Sequence, residues 1–166
     1  MKELAVKTLL ERGITLPEIA EIVLDLQKPY IPHLTVEECL LSVERIVEKR
    51  EVINAIITGV ALDKLTEQGH IEEPLNTILK TDDGLYGIDE ILALSIVNIY
   101  GTIGLTNFGY LDKTKPGIIA ELNNKSNTQV NTFLDDIVCA IAAASASRIA
   151  HRDRDLAEAK ELSQSS

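Results

Sequence analysis

Apolar residues recur at helical spacing through almost the whole chain. In "TLPEIAEIVLDLQ" (15–27), Leu16, Ile19, Val23 and Leu26 fall on one face. Thr15 with Glu18 three residues later is a capping-box spacing, and Pro17 stands in the permissive first turn. "KPYIPHL" breaks the pattern, and Thr35 with Glu38 opens the next helical stretch, which runs to a stop at Gly69. That stretch carries two stripes, Val36/Leu40/Val43/Val47 and Ile53/Ile56/Ile57/Val60. The charged "EKRE" between them reads as a bend or as an exposed turn of one long helix. Pro74 begins a short helix, "TDDGLYG" is a turn, and a further helix starts near Ile88. "NNKSNTQVN" (123–131) is a polar loop. Thr132 and Asp135 are expected to cap a long helix through "FLDDIVCAIAAASASRIAHR". Residues 152–166 form a charged tail, expected as a short exposed helix. No alternating run supports a strand, and no linker or repeat divides the chain. The pattern predicts an all-α fold, a single multihelical domain over residues 1–166.

Two segments need separate comment. Residues 91–111, "ILALSIVNIYGTIGLTNFGYL", carry no charge and are long enough to cross a bilayer. Their Ser, Thr and Asn side chains and the break at "YGTIG" favour a buried helix, a short turn and a second buried helix. The small-residue run "AIAAASAS" lets a neighbouring helix approach closely. The 137–150 helix therefore reads first as an internal core helix and second as a homo-oligomer interface.

Composition narrows the function. The chain has 166 residues and a net charge of −10, with 26 acidic against 16 basic residues, so it offers no surface for a nucleic-acid backbone. Only two cysteines occur, Cys39 and Cys139, neither in a metal-binding spacing, and both read as buried apolar residues in a reducing compartment. His33, His70 and His151 are scattered. The N-terminus lacks the apolar run of a signal peptide, which points to a cytoplasmic protein.

Acidic groups stand at the edges of three apolar helices: Asp89-Glu90, Asp112 and Asp135-Asp136. Asp89-Glu90 and Asp135-Asp136, each taken alone, have a structural explanation as first-turn acids that cap backbone N–H groups. Asp112 reads as lying at a helix C-terminal end, where a carboxylate is less favoured and a specific partner is expected. Lys115, Pro116 and Gly117 read as an open helix start, a kind of end that attracts phosphate. Carboxylates with a lysine fit Mg²⁺-assisted phosphoryl chemistry, because hard oxygen ligands suit Mg²⁺ and the cation screens phosphate from an acidic surface. No P-loop, GxSxG, HExxH, EF-hand or Cys-x5-Arg loop is present.

In this order and at these intervals, "IDEILAL", "FGYLDKTKP" and "LDDIVCAIAA" resemble the motifs of the phosphatidylglycerophosphatase A family, over residues 80–150. The chain is most similar to its soluble, Firmicute-type branch, the low-temperature-requirement protein C group. The resemblance implies a Mg²⁺-dependent phosphatase that converts phosphatidylglycerol phosphate to phosphatidylglycerol. On that scheme Asp89, Glu90, Asp112, Asp135 and Asp136 hold the metal. Asp112, Asp136 and Lys115 are the catalytic residues, and Lys113 and Lys115 bind substrate. The implied partner is a phosphate ester, a phospholipid in the first instance, reached by peripheral contact with the inner membrane face. The chain departs from the family pattern where Gly109 replaces an arginine, where Ile118 replaces a second proline, and in residues 1–70. A soluble ester as substrate, or a non-catalytic helical regulator, are the competing readings. A helical pyrophosphohydrolase, with Glu48 and Glu51 as its acidic pair, ranks last.

Overall fold

A computed structural model describes residues 1–124 and 128–164. The chain is all-α, with no strand among the described residues. Helix α1 (Lys2–Glu11) ends where Gly13 takes φ +83, and Ile14 N–H returns to the Leu9 carbonyl at 3.0 Å. Helices α2 (Leu16–Gln27) and α3 (Val36–Val47) open on the predicted capping boxes. Thr15 N–H donates to Glu18 at 2.8 Å, and Thr35 N–H to Glu38 at 3.1 Å. The "EKRE" segment resolves into a break. Lys49 is extended, and α4 (Arg50–Glu67) begins anew. Gly69, at φ +69, follows α4 as expected. Helix α5 (Leu75–Thr81) follows Pro74 directly.

Helix α6 (Ile88–Val97), a 3-10 turn (Asn98–Tyr100) and α7 (Gly101–Thr114) occupy the long apolar segment. Counted through the turn, Ile88–Thr114 is long and apolar enough to cross a membrane by length and composition, with a mean hydropathy of 1.5 in an 18-residue window. Taken singly, α6 and α7 are about 15 and 21 Å long, short of the ~30 Å apolar core of a bilayer. The helix–turn–helix is as expected, but burial is only partial. Only 28% of that window is buried, and Ile91, Ile99, Leu105 and Tyr110 face outward. The central helix covers one face of each, and α4 also packs on α6.

That central helix is α9 (Leu134–Gln164), 31 residues and therefore about 46 Å long. It continues straight through the segment expected to form a separate short helix; residues 165–166 lie outside the described set. Residues 137–144 are fully buried, and α2, α3, α4, α6, α7 and the short α8 (Ile118–Leu122) all pack on it. The small-residue run is thus an internal core surface: the Ser42 hydroxyl of α3 donates to the Ser145 carbonyl at 3.0 Å. Gly59 of α4 faces the start of α9, where a Cβ would collide with Ile137 Cδ1 and stand 3.0 Å from Phe133 Cβ. Part of the predicted polar loop, residues 125–127, lies outside the described residues.

Candidate metal and phosphate site

The start of α6, the end of α7 and the start of α9 meet at one end of the molecule. They enclose a cavity of about 290 Å³ whose lining includes Asp82, Asp89, Glu90, Asp112, Lys115, Asp135 and Asp136. Helix α6 leads away from this end and α7 returns to it, both lying chiefly against α9. Two motifs far apart in sequence are thereby brought to either side of the third.

Lys115 is the hub. It is the residue that closes α7, in the left-handed conformation (φ +44, ψ +57), with its N–H bonded to the Leu111 carbonyl at 2.8 Å. A non-glycine residue is strained there, and three carboxylates hold it. Its Nζ lies 2.7 Å from Asp112 Oδ1, 2.9 Å from Asp135 Oδ2 and 3.6 Å from Asp136 Oδ1. Burial alone would lower the lysine's pKa; the charges of Asp135 and Asp136 and the bonds to Asp112 and Asp135 outweigh it and raise it. The expected helix start at Pro116 is corrected. Pro116 precedes the helix rather than opening it, Gly117 is the N-cap, and the five-residue α8 is too short for an N-terminal phosphate site. Lys115 belongs to the end of α7 and turns inward.

Beside the ammonium lies a purely acidic group. One oxygen from each of Asp89, Glu90 and Asp136 falls within 4.8 Å of the others. Asp89 and Asp136 are buried, and Glu90 Oε2 is buried with no hydrogen-bond partner. An oxygen-only trio with an unsatisfied carboxylate fits a hard divalent cation. Burial, together with the neighbouring Glu90, raises the Asp89 carboxyl well above the usual range. Burial and then the charge of Asp135 do the same to Asp136. Asp135 rises only to about 6: burial pushes it up, while Lys115 draws it back. Asp135 also accepts the N–H of Asp136 at 2.8 Å. Lys113 is exposed on α7 and does not line the cavity.

The cap of α9 differs from the expectation. The Thr132 hydroxyl donates to the Leu79 carbonyl at 2.6 Å. The free N–H groups of Phe133 and Leu134 are instead accepted by Asp63 of α4, both at 3.1 Å. Burial raises the Asp63 carboxyl to about 8 against the pull of those N–H bonds and of Arg12. Its signal was present in the sequence: Asp63 continues the buried stripe Ile56, Gly59, Val60, where an acid needs a partner. Asp82, left-handed at φ +51, adds a further acid to the cavity wall and raises Asp135 by its charge. It lies in a turn, where an acid carries no signal.

The fold has solved counterparts. A solved protein from Bacillus stearothermophilus superposes with a TM-score of 0.89 at 60% identity, covering 92% of this chain and 94% of that one. The low temperature requirement C protein of Listeria monocytogenes gives 0.90 at 54% identity, covering 92% and 96%. The Bacillus subtilis protein YutG is 60% identical over 144 residues, 87% of each chain. The model of the family described as Phosphatidylglycerophosphatase A matches residues 5–151, so the likeness includes the N-terminal half as well as the three motifs. The chain belongs to the phosphatidylglycerophosphatase A family.

Proposed function

We propose that the chain is a Mg²⁺-dependent phosphatase that cleaves a phosphate monoester, with phosphatidylglycerol phosphate as the first substrate to test. The observation that carries this reading is the convergence of Lys115 and six carboxylates in one cavity, with Glu90 Oε2 buried and unpaired.

Asp89, Glu90 and Asp136 would hold the cation, which supplies positive charge that draws the phosphate to an acidic wall. Lys115 contacts a phosphate oxygen, exchanging part of its hold on Asp112 for the substrate. Asp112 is the most open of the acids that Lys115 bonds, with 37% of its side chain exposed against 6% for Asp135 and 4% for Asp136. It stands where a water would approach, and takes the proton as the water oxygen attacks phosphorus. The P–O ester bond breaks, inorganic phosphate departs, and the leaving alcohol takes a proton from solvent. Asp135 keeps Lys115 in place. No serine, cysteine or histidine takes part.

The lipid source is supported by exposed apolar residues close in sequence to those that line the cavity. Ile88 and Ile91 adjoin Asp89 and Glu90 in the chain, Tyr110 lies two residues before Asp112, and all three are exposed. The test is phosphate release from phosphatidylglycerol phosphate in mixed micelles, with and without Mg²⁺, for wild type and Asp112→Asn. Turnover that needs Mg²⁺ and is lost in the variant supports the reading. Folded protein that releases no phosphate from this lipid but does so from glycerol phosphate moves the substrate to a soluble ester. Release from neither refutes the phosphatase.

A further inference from the structure

The chain leading into α9 has no regular structure, yet its backbone is gripped at consecutive points by side chains from the N-terminal half. Arg12, at the end of α1, is buried. Its Nη2 donates to the Val130 carbonyl at 2.6 Å, to Asn131 Oδ1 at 2.9 Å and to Glu67 Oε1 at 2.7 Å. Glu67, at the end of α4, accepts the Val130 N–H at 2.8 Å on the same oxygen. Asn131 passes the restraint on, donating to the Leu122 carbonyl at 3.0 Å. One turn back along α4, Asp63 takes the N–H groups of Phe133 and Leu134. The next two residues are Asp135 and Asp136.

From this geometry we infer that Arg12 and Glu67 are positioning residues for the cation site, acting through Val130 and Asn131 on the placement of Asp136 opposite Asp89 and Glu90. The inference rests on reading that trio as a cation site. Hard cations tolerate little error in ligand placement, and groups that orient ligands without touching the metal are typically worth 10–100-fold in affinity. The clamp has the features such a role requires. It is charge-assisted, largely buried and attached to backbone, so it fixes the chain rather than one rotamer. It joins the ends of α1 and α4, two elements that contribute no residue to the cavity, to the first turn of α9. Neither Arg12 nor Glu67 lines the cavity, which separates this role from direct ligation.

The test is a Mn²⁺ titration followed by the electron paramagnetic resonance of the free ion, at a temperature where every variant is folded. Arg12→Lys keeps the charge but not the reach of the guanidinium, and Glu67→Ala removes the acceptor. Both are expected to weaken Mn²⁺ binding by about 10–100-fold. Glu67→Gln retains an oxygen for Val130 and is expected to bind within a few-fold of wild type. Val43→Ala serves as a stability control, since α3 meets α9 ten residues beyond Asp135, where Ser42 contacts Ser145. It is expected to lower the melting temperature and leave Mn²⁺ affinity unchanged. Equal weakening in all variants, Val43→Ala included, would reduce the clamp to general stability and overturn the inference. So would wild-type affinity in Arg12→Lys. If Asp136→Asn abolishes binding while Arg12→Lys preserves it, the cation site stands and the clamp alone fails. If wild type binds no Mn²⁺, both fail.

Discussion

Replacing Asp136 by Asn separates a functional acid from a structural one by the sign of its effect. Asp136 is 3% exposed, and among the described residues the cation in reach of its side chain is the Lys115 ammonium at 3.6 Å. Against that stand Asp89 and Glu90, with oxygens no more than 4.8 Å away. At an effective dielectric near 20, each such pair of charges repels by about 3.5 kcal/mol or more, and the lysine attracts by about 4.6 kcal/mol. These two repulsions exceed the one attraction by about 2 kcal/mol when all are ionised, and the charges of Asp135 and Asp112 add to the excess. Protons relieve part of this, because burial raises both Asp89 and Asp136. A folded-state pKa above the unfolded value means that the fold binds protons the unfolded chain has lost. That stability is present at low pH and disappears as pH rises through the folded values. Metal-free wild type should therefore lose stability between about pH 4 and 9, and Asp136→Asn should lose less. At pH 8 in EDTA the variant is expected to be more stable by about 1–2 kcal/mol, a melting shift of about +2 to +8 °C for a chain of this size. Near pH 4, the ordinary value of the unfolded carboxyl, the difference should approach zero. Mg²⁺ should then reverse the order, since a ligand at a hundredfold excess over its Kd adds about 2.7 kcal/mol to the protein that binds it. Differential scanning calorimetry at three pH values, with EDTA or Mg²⁺, reads all of this. A variant less stable than wild type in EDTA at pH 8 would refute the reasoning and make Asp136 an ordinary structural acid.

Other substitutions probe neighbouring parts of the argument. Lys115→Ala leaves Asp112, Asp135 and Asp136 without their cation and should cost about 3 kcal/mol or more, measured by urea denaturation; millimolar Mg²⁺ should restore part of the loss. Gly59→Ala forces α4 away from Ile137 and Phe133, and should cost about 1–3 kcal/mol in the same assay. Gly109→Arg has open space around its Cβ and lies one turn before Asp112. It should stabilise α7 by about 0.5–1 kcal/mol through helix propensity and tighten inorganic phosphate binding, measured by calorimetry.

The helices were legible because their caps and stripes are local. Thr15 with Glu18 and Thr35 with Glu38 both form the bonds their spacing predicts. Of the charged groups singled out as site candidates, six meet in one cavity, and Lys113, next to Asp112 in sequence, faces solvent instead. What sequence could not supply was topology. Asp63 caps a helix that begins 71 residues later, with its Oδ2 on the Leu134 N–H, and Arg12 reaches Asn131 across a separation of 119. Periodicity says that a position is buried, not which element covers it. The misplacement of Lys115 has the same origin. Pro116 suggested a helix start, whereas the preceding helix reaches Thr114 and Lys115 is its left-handed cap.

The arrangement of α9 explains how such a site is tolerated. Its first turn carries two buried aspartates, and the eight residues that follow, 137–144, are fully buried and apolar. Burying like charges costs stability, and well-packed apolar residues would serve a fold better. The acids are concentrated where three helix ends converge, while the apolar contacts that offset them run along the same helix from Ile137 to Ile149. Lys115 supplies one positive charge among four acids: Asp112, Asp135, Asp136 and the Asp89 that faces them. The site is left short of positive charge, with Glu90 Oε2 lacking any partner. An unsatisfied buried oxygen beside uncompensated negative charge is a poor way to build a core and a direct way to build a cation site. That imbalance, more than any single motif, distinguishes the proposed cation site from a set of helix caps.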